Sequence, residues 1–164
     1  MRGSVIQINI SSGGLPKTPI ERAIVDELGI LGDGHRNMKH HGGPRRALLL
    51  VAAEAIDTLK AEGWPLFYGA LGENLTTRGL DYSSWRSGQR YQAGGVVLEL
   101  TSPRGPCGNL NSYGAGIHKR IYDERVKVLD PGSPYWGLSG FYASILKTGE
   151  LRTEDIIELI DPVV

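Results

Sequence analysis

Residues 96–108 read VVLELTSPRGPCG, and the fold class turns on them. Val96, Val97, Leu98, Glu99, Leu100 and Thr101 form the clearest core strand of the chain. The next seven residues, 102–108, carry two prolines and two glycines, which are expected to forbid both helix and ladder. Cys107 is therefore expected on a loop at a strand end.

Outward from this strand the same pattern of short elements recurs. In residues 4–10, SVIQINI, alternation places Ile6, Ile8 and Ile10 on one face of a half-buried strand that stops at Ser-Ser-Gly-Gly. Residues 23–28 give a weaker strand. Residues 47–51, ALLLV, are a continuous apolar run that suits a strand covered on both sides. A short helix follows over 53–61, with Ile56, Leu59 and Lys60 at helical spacing and Gly63 as its cap. Turn signals dominate from 63 to 95, where loops and hairpins are expected and only 74–77 looks extended. A short helix is expected over 116–125, a Pro/Gly turn over 131–134, and strands over 141–146 and 156–160.

Composition agrees with a mainly β fold carrying a few short helices, since 23 of 164 residues are glycine and nine are proline. No repeat, linker or low-complexity tract interrupts the chain, so a single domain over 1–164 is expected. Lys plus Arg and Asp plus Glu are 18 each. A chain with no net charge has no global field for nucleic acid or an anionic membrane, and neither is expected as a partner. The single cysteine excludes an internal disulfide framework. Without a leader pattern or a run of about 18 apolar residues, the expected location is the cytoplasm.

Against this neutral background the segment His35 to Arg46 holds three histidines and four Lys or Arg residues with no carboxylate. Gly42, Gly43 and Pro44 add backbone N–H groups before a core strand, a geometry suited to a phosphate or carboxylate. A solvated turn is the bland alternative. A zinc site built from Asp33, His35, His40, His41 and Glu73 is the other, although adjacent His40 and His41 point to different faces. For Cys107, a small buried hydrophobe competes with a reactive thiolate supported by Arg104 three residues away, either a nucleophile or a soft-metal ligand. Glu73 and Asn74 read as a capped turn satisfying local backbone groups. No G-x-S-x-G motif points to a serine hydrolase.

Four motifs in order, GILGDGH at 29–35, HGGP at 41–44 running into Ala47 and Leu48, LGENLT at 71–76 and TSPRGPC at 101–107, resemble those of the MOSC domain. This is the family of the molybdenum cofactor sulfurase C-terminal region. The ending from Gly140 to Ile157 is similar to its closing hairpin, although residues 152–155, RTED, lack the glycine that commonly precedes the aspartate. The resemblance implies a barrel of the pyruvate-kinase type and a molybdenum cofactor, a pterin with a dithiolene and a terminal phosphate. It maps the metal-ligating or sulfur-carrying cysteine onto Cys107, its neighbouring arginine onto Arg104, the His-Gly-Gly histidine onto His41 and the Gly-Glu-Asn-Leu amide onto Asn74. The cationic loop would then hold the anionic cofactor through Gly42, Gly43, Lys39, Arg45 and Arg46, with His35 and His41 beside it. A pyridoxal-phosphate desulfurase domain has no room in 164 residues, so that cofactor is not expected.

Three functions follow as expectations. In the first, the protein reduces an N-hydroxylated or N-oxide small molecule with electrons from a separate protein. In the second, it carries sulfur or cofactor to a molybdoenzyme partner through a Cys107 persulfide. The third is a zinc hydrolase using Asp33, His35 and His41.

Overall fold

The structure, a computed structural model, describes residues 1–34 and 42–162. In chain order its strands are β1 (Arg2–Ile10), β2 (Thr18–Ile20), β3 (Arg22–Asp26), β4 (Gly29–Ile30), β5 (Leu48–Ala52), β6 (Leu75–Arg78), β7 (Arg90–Ala93) and β8 (Val96–Pro103). They continue with β9 (Phe141–Lys147), β10 (Gly149–Arg152) and β11 (Ile156–Asp161), and the helices are α1 (Ala53–Ala61), α2 (Ile117–Ile121) and α3 (Glu124–Lys127). Seven strands run in the order β11-β7-β8-β9-β5-β6-β1, and β1 pairs back onto β11, which closes a barrel. Closure removes the free edges that an open sheet would present. Strand β2 hangs on β1, and β10-β3-β4 form a separate small sheet. The expected mainly β barrel with short helices is what the chain forms.

The apolar run at 47–51 explains the centre of this arrangement. Every residue of β5 is buried, with the barrel interior on one side and α1 packed nearby through Ala53, Ala55, Ile56 and Leu59. Beneath it Phe141 makes edge-on contacts with Trp85 and Trp136, at centroid separations of 5.9 and 5.6 Å.

Local sterics and irregular pairing alter three expectations. In β1 a register shift between Val5 and Gln7 breaks strict alternation, so Val5 and Ile8 are fully buried while Ile6 is only half-buried. The ladder does not stop at Thr101. A second shift between Leu100 and Ser102 lets Ser102 face Tyr142 and Pro103 face Phe141, and the Arg104 N–H then donates to the Gly140 carbonyl at 2.8 Å. Proline is tolerated because it ends the strand, where its missing donor breaks no run of ladder bonds. The expected helix over 116–125 is two helices, because Tyr122 is extended and Asp123 starts a new cap by accepting from the Val126 N–H at 2.9 Å.

Gly140 joins β9 to the segment before it at φ 94°, and a Cβ there would sit on the Leu50 carbonyl oxygen. Gly140→Ala combines left-handed strain of about 1–2 kcal/mol with overpacking of about 1–3 kcal/mol. A loss of about 3 kcal/mol is expected, read as a lowered urea midpoint. Among the described residues no helix is long and apolar enough to cross a membrane.

Candidate functional site

A cavity of about 390 Å³ opens where β5 and β9 meet the segment before β6, the loop after β8 and the turns that follow β1 and β4. Three cationic side chains line it, Lys17, Arg46 and Arg104, and no carboxylate among the described residues does. Cys107, a free and half-buried thiol, is on the same wall beside Asn109. The loop after β8 places it there. Pro103 ends the strand, and Cys107 precedes the 3₁₀ turn Gly108–Tyr113, with its carbonyl accepting from Leu110 at 3.2 Å.

Arg104 is 3% exposed, and its guanidinium donates to the carbonyls of Leu71 at 2.7 Å and Ser139 at 3.4 Å. The Ser139 hydroxyl donates back to the Arg104 carbonyl. The arginine is therefore fastened into the wall that it shares with Cys107, with its charge anchored to peptide carbonyls.

Asn74 does more than cap a local turn. Its Oδ1 accepts from the Leu49 N–H at 3.1 Å, and its Nδ2 donates to the Asn9 carbonyl at 3.2 Å and to Asp33 Oδ2 at 2.8 Å. One buried amide thus ties β1, β5 and the turn after β4 together at the cavity. Asp33 has its other oxygen occupied as well, since Oδ1 accepts from the Ser11 N–H at 3.0 Å and Lys17 Nζ at 2.6 Å. With side-chain exposures of 2% for Asp33 and 10% for Lys17, this is a buried ion pair. Asp33 is consequently a structural post, and the zinc expectation loses it. Among the described residues no cluster of three His, Cys, Asp or Glu side chains could hold a metal.

Glu73 behaves as the local reading expected in part: its Oε1 accepts from the Gly69 N–H at 2.6 Å and the Thr76 hydroxyl at 3.1 Å. Its Oε2 is buried without a partner. Burial pushes the carboxyl from 4.5 up to about 7, against the opposing pull of its hydrogen bonds and the Arg104 charge. The folded chain therefore binds an extra proton between those values. Stability owed to Glu73 is present below about pH 4.5 and lost as pH rises through 7. Relative to Glu73→Gln, the wild type should lose on the order of 3 kcal/mol over that interval, read from urea midpoints across pH.

The cationic segment is only partly in view. Gly42 and Arg46 line the cavity, with the Arg46 guanidinium 5.0 Å from the centre of the Tyr142 ring. Gly42 and Gly43 both adopt φ near 86°, as a tight glycine turn requires. Gly43 and Arg45 are adjacent to the wall without lining it. Arg45 is exposed, and its carbonyl accepts from the Thr101 hydroxyl at 2.7 Å. His35, Lys39, His40 and His41 lie outside the described residues.

Sequence reasoning missed Lys17, Leu15, Asn109 and Tyr142. The Ser-Ser-Gly-Gly turn at 11–14 was the only local signal near the first two, since nothing in sequence brings residue 17 to residue 33.

Comparison with known proteins adds an independent line. The MOSC domain family model matches residues 37–158. Protein YiiM of Escherichia coli (strain K12) is 31% identical over 145 residues, covering 85% of this chain and 60% of that protein. The uncharacterized protein YflK of Bacillus subtilis (strain 168) is 28% identical over 149 residues, 90% of this chain and 63% of its own. A protein named Reductase from Gibberella moniliformis is 32% identical over 138 residues, which cover 81% of this chain and 23% of that protein. The chain thus spans less than two thirds of the length of these curated relatives. Among solved structures, the YUAD protein from Bacillus subtilis superposes with a TM-score of 0.73 at 19% identity, covering 97% of this chain and 96% of that one. YiiM from Escherichia coli gives 0.67 at 24% identity, covering 98% and 71%. Both likenesses concern the fold.

Proposed function

The chain belongs to the MOSC domain family, and from this we propose that its cavity binds a molybdenum cofactor for the reduction of N-hydroxylated or N-oxide small molecules. Electrons would come from a separate protein. The observation that carries the reading is the cavity's composition: one free thiol and three cations, with no carboxylate among the described lining residues.

The residues present fit the group. A thiolate is a soft ligand suited to molybdenum, and Cys107 is the lining residue that would hold the metal. Arg46 and the Gly42 turn would meet the terminal phosphate, which cations and backbone N–H groups favour. About 390 Å³ lies within the range of roughly 300–1,000 Å³ common for small-molecule and cofactor sites. When bound, the cofactor would supply the two-electron chemistry that removes an oxygen atom from nitrogen.

The chain's own part is binding and preorganisation. Leu15, Leu49 and Leu71 give the cavity apolar lining, and lower polarity there would strengthen charge interactions inside it. Arg104, fixed by two carbonyls, holds a positive charge in the cavity wall that would stabilise negative charge on a departing oxygen. Reduction of an N–OH group consumes two electrons and two protons and releases water, so both a donor protein and a proton source are required. The fungal relative named Reductase is consistent with this class of activity. We also read the chain as one domain, acting in the cytoplasm without a nucleic-acid or membrane partner.

The carrier reading uses the same half-buried thiol, which would hold a persulfide sulfur for delivery to a molybdoenzyme. Metal analysis and pterin fluorescence on protein made in a host that synthesises the cofactor separate the two. Molybdenum and pterin together with turnover of an N-hydroxylated substrate by a supplied electron donor support the reductase, and cofactor without turnover supports carriage. Absence of molybdenum and pterin, with one extra sulfur atom on Cys107 by mass spectrometry, supports the carrier.

A further inference from the structure

Glu73 is a buried acid to which the proposed function gives no task. It belongs to the wall segment 71–74, whose other members Leu71, Gly72 and Asn74 line the cavity. The carboxyl itself is fully enclosed, and its Oε2 has no hydrogen-bond partner. An ionised carboxylate so placed has donors on Oε1 alone and no access to water, which makes its charge expensive to keep.

The charged and titratable groups that act on it come from two directions. From the end of β8 the Arg104 guanidinium favours its ionised form, and from the 3₁₀ turn after Cys107 the Tyr113 phenol is itself raised, mainly by burial and further by Glu73. On the far side of Asn74 stands the Lys17–Asp33 pair, which is internally compensated. Arg104 also lines the cavity. A single guanidinium is thus bonded to the Leu71 carbonyl, two residues before an acid that can change its charge, and also lines a carboxylate-free cavity.

We infer that Glu73 is a positioning residue that couples proton uptake to anion binding in the cavity. Neutral Glu73 leaves the charge of Arg104 to the cavity, and ionised Glu73 partly compensates that charge. Linkage makes the effect reciprocal: an anion in the cavity raises the affinity of Glu73 for its proton. Physiologically, the wall would hold an anionic ligand most tightly with the acid protonated and loosen it as the acid ionises. The inference rests on the reading of the cavity as an anion site.

Sulfate tests it without cofactor, because sulfate stays a dianion across neutral pH. Histidines at 35, 40 and 41 precede Gly42 in the sequence, and histidine as a residue type ordinarily changes charge near neutral pH, so the readout must belong to Glu73. Carboxyl carbon NMR of wild-type protein, with Glu73 assigned through its backbone, gives its titration midpoint with and without saturating sulfate. The midpoint should rise by about one pH unit, equivalent to about tenfold coupling. In Glu73→Gln, sulfate affinity should fall about tenfold less than in wild type between about pH 5.5 and 8.5. Sulfate that shifts the amides of Gly42, Asn74 and Cys107 but leaves the Glu73 midpoint unmoved overturns this inference alone. Sulfate that leaves those amides unmoved removes the anion-site reading and the inference with it. The midpoint measurement uses only wild-type protein, so it decides the matter even if the variant does not fold.

Discussion

Asp33→Ala is expected to destabilise the protein by about 3–5 kcal/mol, the usual consequence of removing one partner of a buried ion pair. The variant leaves the Lys17 ammonium, 10% exposed, without its counter-ion. It also strips the Ser11 N–H and one Asn74 N–H of their acceptor, at a further cost for each buried donor. Asp33→Asn keeps the shape and some of the hydrogen bonds, so it should fall between wild type and alanine. Combining Asp33→Asn with Lys17→Met removes the stranded charge and should recover part of the loss. Urea unfolding of the four proteins, compared at equal m-values, measures all of this. An alanine variant within about 1 kcal/mol of wild type would show that the pair does not hold the cavity wall together.

Cys107→Ser should leave the fold intact and empty the site. The thiol is half-buried, and a serine of similar size changes little packing, so the unfolding midpoint should move by less than about 1 kcal/mol. A hydroxyl is a harder and far less acidic ligand than a thiolate, so it replaces the sulfur poorly at a soft metal. In protein from a cofactor-producing host, molybdenum by plasma mass spectrometry should drop at least about tenfold from the wild-type level. Reduction of an N-hydroxylated substrate with a supplied electron donor should fall by at least about 10²-fold, more than the loss typical of an outer-shell change at a metal site. Full molybdenum content and activity in the variant would show that Cys107 is not the ligand. Loss of activity with molybdenum retained would instead place the thiol in the chemistry and the metal on other groups.

Local sequence decided several elements outright. Residues 47–51 are apolar at every position, which suits a strand covered on both faces, and β5, Leu48–Ala52, is buried throughout. The helical spacing of Ile56 and Leu59 gave α1, and Val96 onwards gave β8, because burial periodicity is written into single segments. The ordered motifs identified the family, with Cys107 and Arg104 brought to one wall by a strand end and the turn after it. Other features depended on partners that no local pattern names. The shift in β1 that half-exposes Ile6 is set by its pairing with β6, and the continuation of β8 through Pro103 is set by β9. Lys17 and Asp33 are ordinary surface residue types until closure of the barrel buries them against each other.

The sequence by itself determined that the chain is a mainly β MOSC-family fold with a single cysteine three residues after an arginine, since these follow from short-range composition and motif order. Tertiary structure alone decided that Asn74 ties three segments together, that Asp33 is a post for Lys17, and that Glu73 keeps one buried oxygen bare. The physical reason is that charge, desolvation and hydrogen-bond satisfaction belong to a side chain's surroundings, and those surroundings come from residues up to 65 positions away.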